Sequence, residues 1–261
     1  MLDWIGSLPT VARMGFLVLV FVGFAWLGII FIRPFLRPLV GRGRGDNELV
    51  GNTLQFYAVM YGLLLGLLVV GTYQDYLDAL AVTEAEASTV LGLERSIRAL
   101  PEPLNQELRA ELTEYTRVVI EEDWPAQRVG QLPAGSAAPI GALQTDLFEF
   151  EPETMRGEIL LDSAVQQYYQ LLDLRRQRFY SVNTQLPAIL WYVVLIGGFL
   201  TIVIMWLFDM RPSLQLALGG LVAFFIATMI GLIFELDSLY SGQLTVTSEP
   251  YILVYRALTG Q

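Results

Sequence analysis

The sequence predicts an all-α membrane protein with four transmembrane helices and a long helical soluble insertion between the second and third spans. Three observations carry this. Of the 261 residues, 54% are hydrophobic and only 16% charged, whereas charged residues make up roughly 25% of a soluble domain. The mean hydropathy is +0.50, an excess of apolar surface that only lipid can absorb. Finally, the apolar residues gather in four long blocks, while charge gathers between the second and the third.

The first block, Met14 to Ile32, carries no charge, and about 19 residues rising 1.5 Å each cover the roughly 30 Å hydrocarbon core. It continues past the length of a signal-peptide core and lacks a basic start, so it reads as a retained span. Arg33, Pro34, Arg37 and Pro38 end it. The second block runs from Val50 to about Val70 and opens on an unusually polar string. From Tyr73 to Leu100 the pattern reads as a water-exposed continuation of that helix, stopped by Pro101 and Pro103. Leu104, Leu108, Leu112, Tyr115 and Val119 then recur at helical steps, with Trp124-Pro125 closing the helix and Glu107, Glu111 and Glu114 on another face. Arg128 to Ala142, rich in Gly, Pro, Ala and Ser, reads as a loop without a motif. From about Glu153 a helix resumes and can run unbroken towards Pro187. The last two spans, Leu186 to Phe208 and Leu214 to Phe234, are joined by Asp209-Met210-Arg211-Pro212-Ser213 alone, which forces an antiparallel hairpin. The expected organisation is a first transmembrane pair over 1–72, an acidic helical insertion over 73–185, a transmembrane hairpin over 186–236 and a short soluble tail over 237–261.

The formal charge of −10 has a local origin: Tyr73 to Leu186 holds 19 acidic residues against 9 Arg, and the rest of the chain holds 7 of each. Such a segment repels nucleic acid, which is therefore not an expected partner. There is no Cys, His or Lys, since all 16 basic residues are Arg. That composition excludes thiol nucleophiles, imidazole bases, Cys or His metal ligation, Schiff bases and a phosphate-loop lysine. No enzyme activity, metal or other cofactor is expected. The acidic clusters at Glu121-Glu122-Asp123 and at Glu149, Glu151 and Glu153 lack the spacing of a calcium loop and read as solvated faces.

Ionisable residues of the spans lie only at their ends, at Arg13, Asp209, Glu235 and Asp237. A pump coupled to ions needs a buried charge at mid-membrane depth, whereas a passive conduit can select by width, amides and helix dipoles. The pattern therefore leans towards a channel. Asn52, Thr53, Gln55, Tyr57 and Tyr61 put hydrogen-bonding groups on the first turns of the second span. They serve either interhelical bonding or a polar pore entry. Gly62 and Gly66 have the spacing that lets helix backbones approach closely. Arg counts near the spans place both termini and the acidic middle outside the cytoplasm.

Three stretches carry a resemblance. Gly51 to Gly62 (GNTLQFYAVMYG), Asp123-Trp124-Pro125 and the tail Leu236-Asp237-Ser238-Leu239-Tyr240-Ser241-Gly242 are similar to the signature of an uncharacterised bacterial and plant membrane family described as bestrophin-like. In the tail, Leu239 and Tyr240 stand where that family has Pro and Phe, and Asp237 and Gly242 match it. The resemblance implies an ion channel in a bacterial plasma membrane, with the lipid bilayer and small inorganic ions as partners. By analogy with bestrophins it implies a pentameric homo-oligomer that conducts anions. It also implies a pore lined by the second span, with Asn52 and Gln55 at a polar entry and Phe56, Met60, Leu63, Leu64 and Leu67 as narrowing residues. The same analogy puts the insertion in the cytoplasm, opposite to the Arg count. The alternative function is a non-conducting sensor or assembly protein whose acidic helices bind a partner.

Overall fold

A computed structural model describes residues 10–36, 44–182, 184–242 and 244–260. Every element found there is helical: α1 (Thr10–Leu36), α2 (Arg44–Arg98), α3 (Leu104–Val118), α4 (Trp124–Arg128), α5 (Ala137–Glu149), α6 (Met155–Ser181), α7 (Ala188–Trp206), α8 (Pro212–Asp237) and α9 (Glu249–Thr259). Four of them, α1, α2, α7 and α8, are long and apolar enough to cross a membrane. The chain divides into two compact units, one of residues 1–74 and 185–238, the other of 75–184 and 239–261. The tail from Leu239 onward thus belongs with the insertion.

In the membrane unit, α1 lies along α8 because α8 presents Gly219, Ala223, Ala227 and Gly231 at four-residue steps, all buried. Such a small-residue ridge lets two backbones approach where lipid offers no hydrophobic drive. Side chains of α1 fill the space left: Ile29 lies against Gly219, Trp26 against Gly220 and Met14 against Gly231. The Trp206 indole sits on Gly28, where α1 takes a π-helical turn over Gly28–Ile32. Its Nε1 donates to Ala25 O at 3.2 Å, and Trp26 Nε1 donates to Leu216 O at 3.0 Å.

Ionic contacts clamp both ends of α1, the first of them buried. At one end Arg13, only 3% exposed, pairs with Glu235 at 3.4 Å, and Thr10 donates to the same carboxylate at 3.1 Å. At the other, Arg33 Nη2 donates to Met210 O at 2.5 Å and lies 3.8 Å from Asp209. Twenty residues of helix separate the two arginines, about 30 Å of rise, which is the thickness of the hydrocarbon slab. Asn47 ties the start of α2 to the hairpin link through a reciprocal pair with the Asp209 backbone, both bonds 2.9 Å.

The second unit has its own core, built from Val90, Leu93 and Ile97 of α2, Leu108, Leu112 and Tyr115 of α3, Leu143 and Leu147 of α5, Tyr168 and Leu171 of α6, and Tyr251 and Val254 of α9. Three readings of the sequence are corrected here. The stretch Arg128 to Ala142 is not loop throughout, because α5 starts at Ala137. Its Pro139 is tolerated in a first turn, and Ile140, Leu143 and Leu147 form a buried stripe. Helix α6 ends at Ser181 rather than running on to Pro187, and the N–H of Leu186, which Pro187 disfavours from helical geometry, bonds the Asp237 carboxylate at 2.7 Å. Trp124-Pro125 does not close a helix: a π-helical turn over Val119–Asp123 carries the chain into α4.

Candidate functional site

The predicted pore-facing residues lie on α2, the span least covered by its own chain. Within its most apolar window 11% of residues are buried, against 22%, 33% and 44% for α1, α7 and α8. One side of α2 is packed. Tyr61 and Leu65 are buried in the membrane core, Tyr57 and Leu64 pack beside them, and the Tyr57 and Tyr61 hydroxyls donate to Gly197 O and Val194 O at 3.2 and 2.8 Å. Gly197 and Gly198 of α7 leave the room these rings occupy.

The opposite side of α2 is bare. Phe56 is 71% exposed, Met60 51%, Leu63 58% and Leu67 65%, in steps of three and four residues that make one stripe. Asn52, Thr53 and Gln55 share that side, exposed. Leu64 falls outside the stripe, half-buried against the core. The sequence treated Asn52 to Tyr61 as one polar string, but the helix splits it, sending the tyrosine hydroxyls to α7 and the amides outward. Among the described residues nothing lies within 4 Å of where a Cβ would stand at Gly62 or Gly66. The expectation of close packing there is not met within the chain; the glycines of α7 and α8 do that work.

The remaining matched positions have structural roles. The Asp237 carboxylate accepts from Leu186 N and from Trp191 Nε1 at 3.4 Å, capping the region where α7 begins and α8 ends. Gly242 has φ +111°, a conformation that L side chains rarely adopt. Tyr240 is buried, edge-on to Trp124 with ring centroids 5.8 Å apart, so two of the three matched stretches meet in one core.

That meeting point surrounds a charge knot which sequence reasoning missed. Arg178 is fully buried. Its Nε donates to Glu86 Oε2 at 2.8 Å, Nη2 to Glu86 Oε1 at 3.2 Å and Nη1 to Gln127 Oε1 at 2.9 Å. Asp123 Oδ2 lies 3.6 Å away. The Tyr115 hydroxyl donates to Glu86 at 2.6 Å. Asp123 in turn accepts from Ser136 Oγ at 2.5 Å, and Arg175 donates to that same hydroxyl at 2.9 and 3.1 Å. Asp123 was read as part of a solvated acidic face, yet it is buried. Asp123 follows the buried Tyr115 and Val119 at four-residue steps and ends the π-helical turn. Burial alone would lower the Arg178 pKa, but the Glu86 carboxylate more than offsets it and holds the guanidinium charged. Burial, with Glu86 adding to it, pushes the Tyr115 phenol well up. The available signal was one of three closely spaced arginines near the end of α6, and nothing in spacing told it from its exposed neighbour Arg176.

Other chemistry is sparse. Among the described residues no group of three or more His, Cys, Asp or Glu could hold a metal ion. Glu111 is raised to about 7, first by burial and then by Asp146 on α5 and Glu107 on its own helix.

Four membrane-length helices, two of them a tight hairpin, with one span left uncovered, define a multi-span integral membrane protein. The chain belongs to the Bestrophin-like domain family, whose model matches residues 19–251. Among solved structures it is similar to a point mutant of a bacterial bestrophin homologue from Klebsiella pneumoniae, with a TM-score of 0.66 at 12% identity, covering 95% of this chain and 99% of that one. A structure described as a membrane protein variant matches with a TM-score of 0.61 at 13% identity, covering 95% and 99%. A second mutant of the Klebsiella homologue gives 0.57 at 14% identity, covering 95% and 100%. No curated protein matches the chain.

Proposed function

We propose that the protein is a homo-oligomeric ion channel of a bacterial plasma membrane, with the uncovered side of α2 facing the conduction path. The carrying observation is that Asn52 and Gln55 stand exposed on the same side as Phe56, Met60, Leu63 and Leu67, and neither amide has a hydrogen-bond partner among the described residues. Left in hydrocarbon, an unpartnered amide costs several kcal/mol, on the order of 4–8 by transfer to alkane. A water-filled axis lined by copies of α2 removes that penalty, and the apolar residues beyond form its narrow part. A passive conduit also accords with spans whose ionic groups, Arg13 with Glu235 and Arg33 with Asp209, sit at the ends and are paired. Membership in the family supports the same reading, and a pentamer follows by analogy with bestrophins.

Anions are the permeant class that this analogy implies. The charge on α2 favours the other sign: Asp75 and Glu84 are exposed, and no basic residue occurs between Gly45 and Glu94. One experiment addresses both the activity and the ion. Purified protein in liposomes should pass ions down a gradient, and reversal potentials in asymmetric salt should report the sign. No flux of any anion or cation from a homogeneous oligomer would refute the channel. Substituting Asn52→Leu together with Gln55→Leu should lower conductance without dispersing the oligomer.

The non-conducting alternative, in which the insertion binds a partner, draws on α6, where Met155, Ile159, Tyr169 and Tyr180 are exposed at 78%, 64%, 56% and 69%. It predicts that charged substitutions there remove a co-purifying protein while the membrane unit stays folded.

A further inference from the structure

We infer that the charge knot of the second unit holds one buried water molecule, bound between Trp124 Nε1, Gln127 Nε2 and the Tyr251 hydroxyl. All three side chains are buried, with 2%, 2% and 0% of their surface exposed, and none of these atoms has a well-formed hydrogen bond among the described residues. They belong to one neighbourhood. Trp124 and Gln127 lie one turn apart on α4, so they share a face. Arg178 Cζ lies 5.6 Å from the centroids of both the Trp124 and Tyr251 rings, and those two rings are 5.7 Å apart. The Gln127 amide cannot escape by flipping, because its oxygen is held by Arg178 Nη1 and its nitrogen must then point a donor elsewhere.

The chemistry required is that of a small hydrogen-bond acceptor. Indole Nε1 and amide Nε2 can only donate, and buried donors left unmade carry the full desolvation penalty. A water meets the need, since it takes two donated bonds and returns one to the tyrosine oxygen, within the two to four partners typical of interior water. Charge balance selects water over a halide. Arg178 faces Glu86 and Asp123, and Arg175 reaches Asp123 through the Ser136 hydroxyl, so two charges of each sign balance and an added anion would be an unpaired charge in a dry core. The Tyr251 hydroxyl is close enough to the Glu86 carboxylate to interact with it, so its hydrogen is directed there and its oxygen remains to accept from the water. The water would thereby join α9 to the Asp123-Trp124-Pro125 stretch.

The test is an experimental map of the full-length protein in detergent or nanodiscs, at a resolution where ordered solvent is visible, for the parent and for Tyr251→Phe. The expected result is one solvent peak within hydrogen-bond distance of Trp124 Nε1 and Gln127 Nε2 in the parent. In the variant the peak should weaken or vanish and the melting temperature should fall. No peak in the parent, with both donors turned to protein acceptors, would overturn the site. So would an anomalous peak at that position in protein prepared in bromide, which would mark an anion. A peak and a melting temperature unchanged by Tyr251→Phe would overturn the three-way bridge.

Discussion

Replacing Arg178 with Met tests the charge knot directly. The substitution keeps much of the side-chain volume and removes the guanidinium, which makes two bonds to Glu86, one to Gln127 and a 3.6 Å contact with Asp123. Bonds to charged groups are worth about 1.5–3 kcal/mol each, so three of them amount to roughly 5–9 kcal/mol gross. Part of this was already offset by the desolvation of the arginine itself. What remains is the buried Glu86 carboxylate without its counter-ion, while Asp123 keeps Arg175 nearby through Ser136, and breaking a buried pair in this way costs about 3–5 kcal/mol. For a unit of this size that corresponds to a fall in melting temperature on the order of 10 °C. The assay is thermal unfolding of the detergent-solubilised protein, read by tryptophan emission, since Trp124 lies against the guanidinium. The double variant Glu86→Gln with Arg178→Met should recover a substantial part of the loss, because it removes one stranded charge. A single variant melting within about 2 °C of the parent, or a double variant worse than the sum of the singles, would refute the assignment of Glu86 and Arg178 as a buried pair.

Glu111 should make the second unit sensitive to pH. Its carboxyl titrates near 7 in the folded protein, above its ordinary 4.5, so its contribution is fully present below about pH 4.5 and is lost as pH rises through 7. Because the group is partly exposed, screening reduces the effect to about 1 kcal/mol. Melting curves from pH 5 to 8 should show a decline in the parent that Glu111→Gln flattens, and parallel curves would count against it. Gly28→Ala should destabilise the membrane unit by about 1–3 kcal/mol, because its Cβ would enter the Trp206 indole. Gly62→Ala, whose Cβ would meet nothing within 4 Å among the described residues, should leave monomer stability unchanged or raised by up to about 1 kcal/mol. If Gly62 faces a neighbouring copy, the variant will instead shift the oligomer on size-exclusion chromatography. Asn47→Ala should loosen the junction of α2 with the hairpin link, since both its bonds to the Asp209 backbone vanish. Faster proteolysis near Asp209 would report it.

What could be read from the sequence was whatever depends on the solvent a stretch prefers. Four uncharged blocks of membrane length, the hairpin forced by Asp209 to Ser213 and the helical insertion all follow from period and composition, because lipid demands apolar surface over a set length and backbone bonds satisfied within each helix. The polar opening of α2 was likewise visible as a peculiarity. Which groups meet was decided only in three dimensions. Gly62 and Gly66 have the same spacing as the ridge from Gly219 to Gly231, yet only the ridge receives a neighbouring helix, because contact depends on the partner's side chains as much as on the small residues themselves. Asp123 and Arg178 look like solvated charges in a charged segment. They are buried because Glu86 and Gln127 meet Arg178 from 92 and 51 residues away, and Ser136 meets Asp123 across 13, with complementary hydrogen bonds that no local pattern encodes.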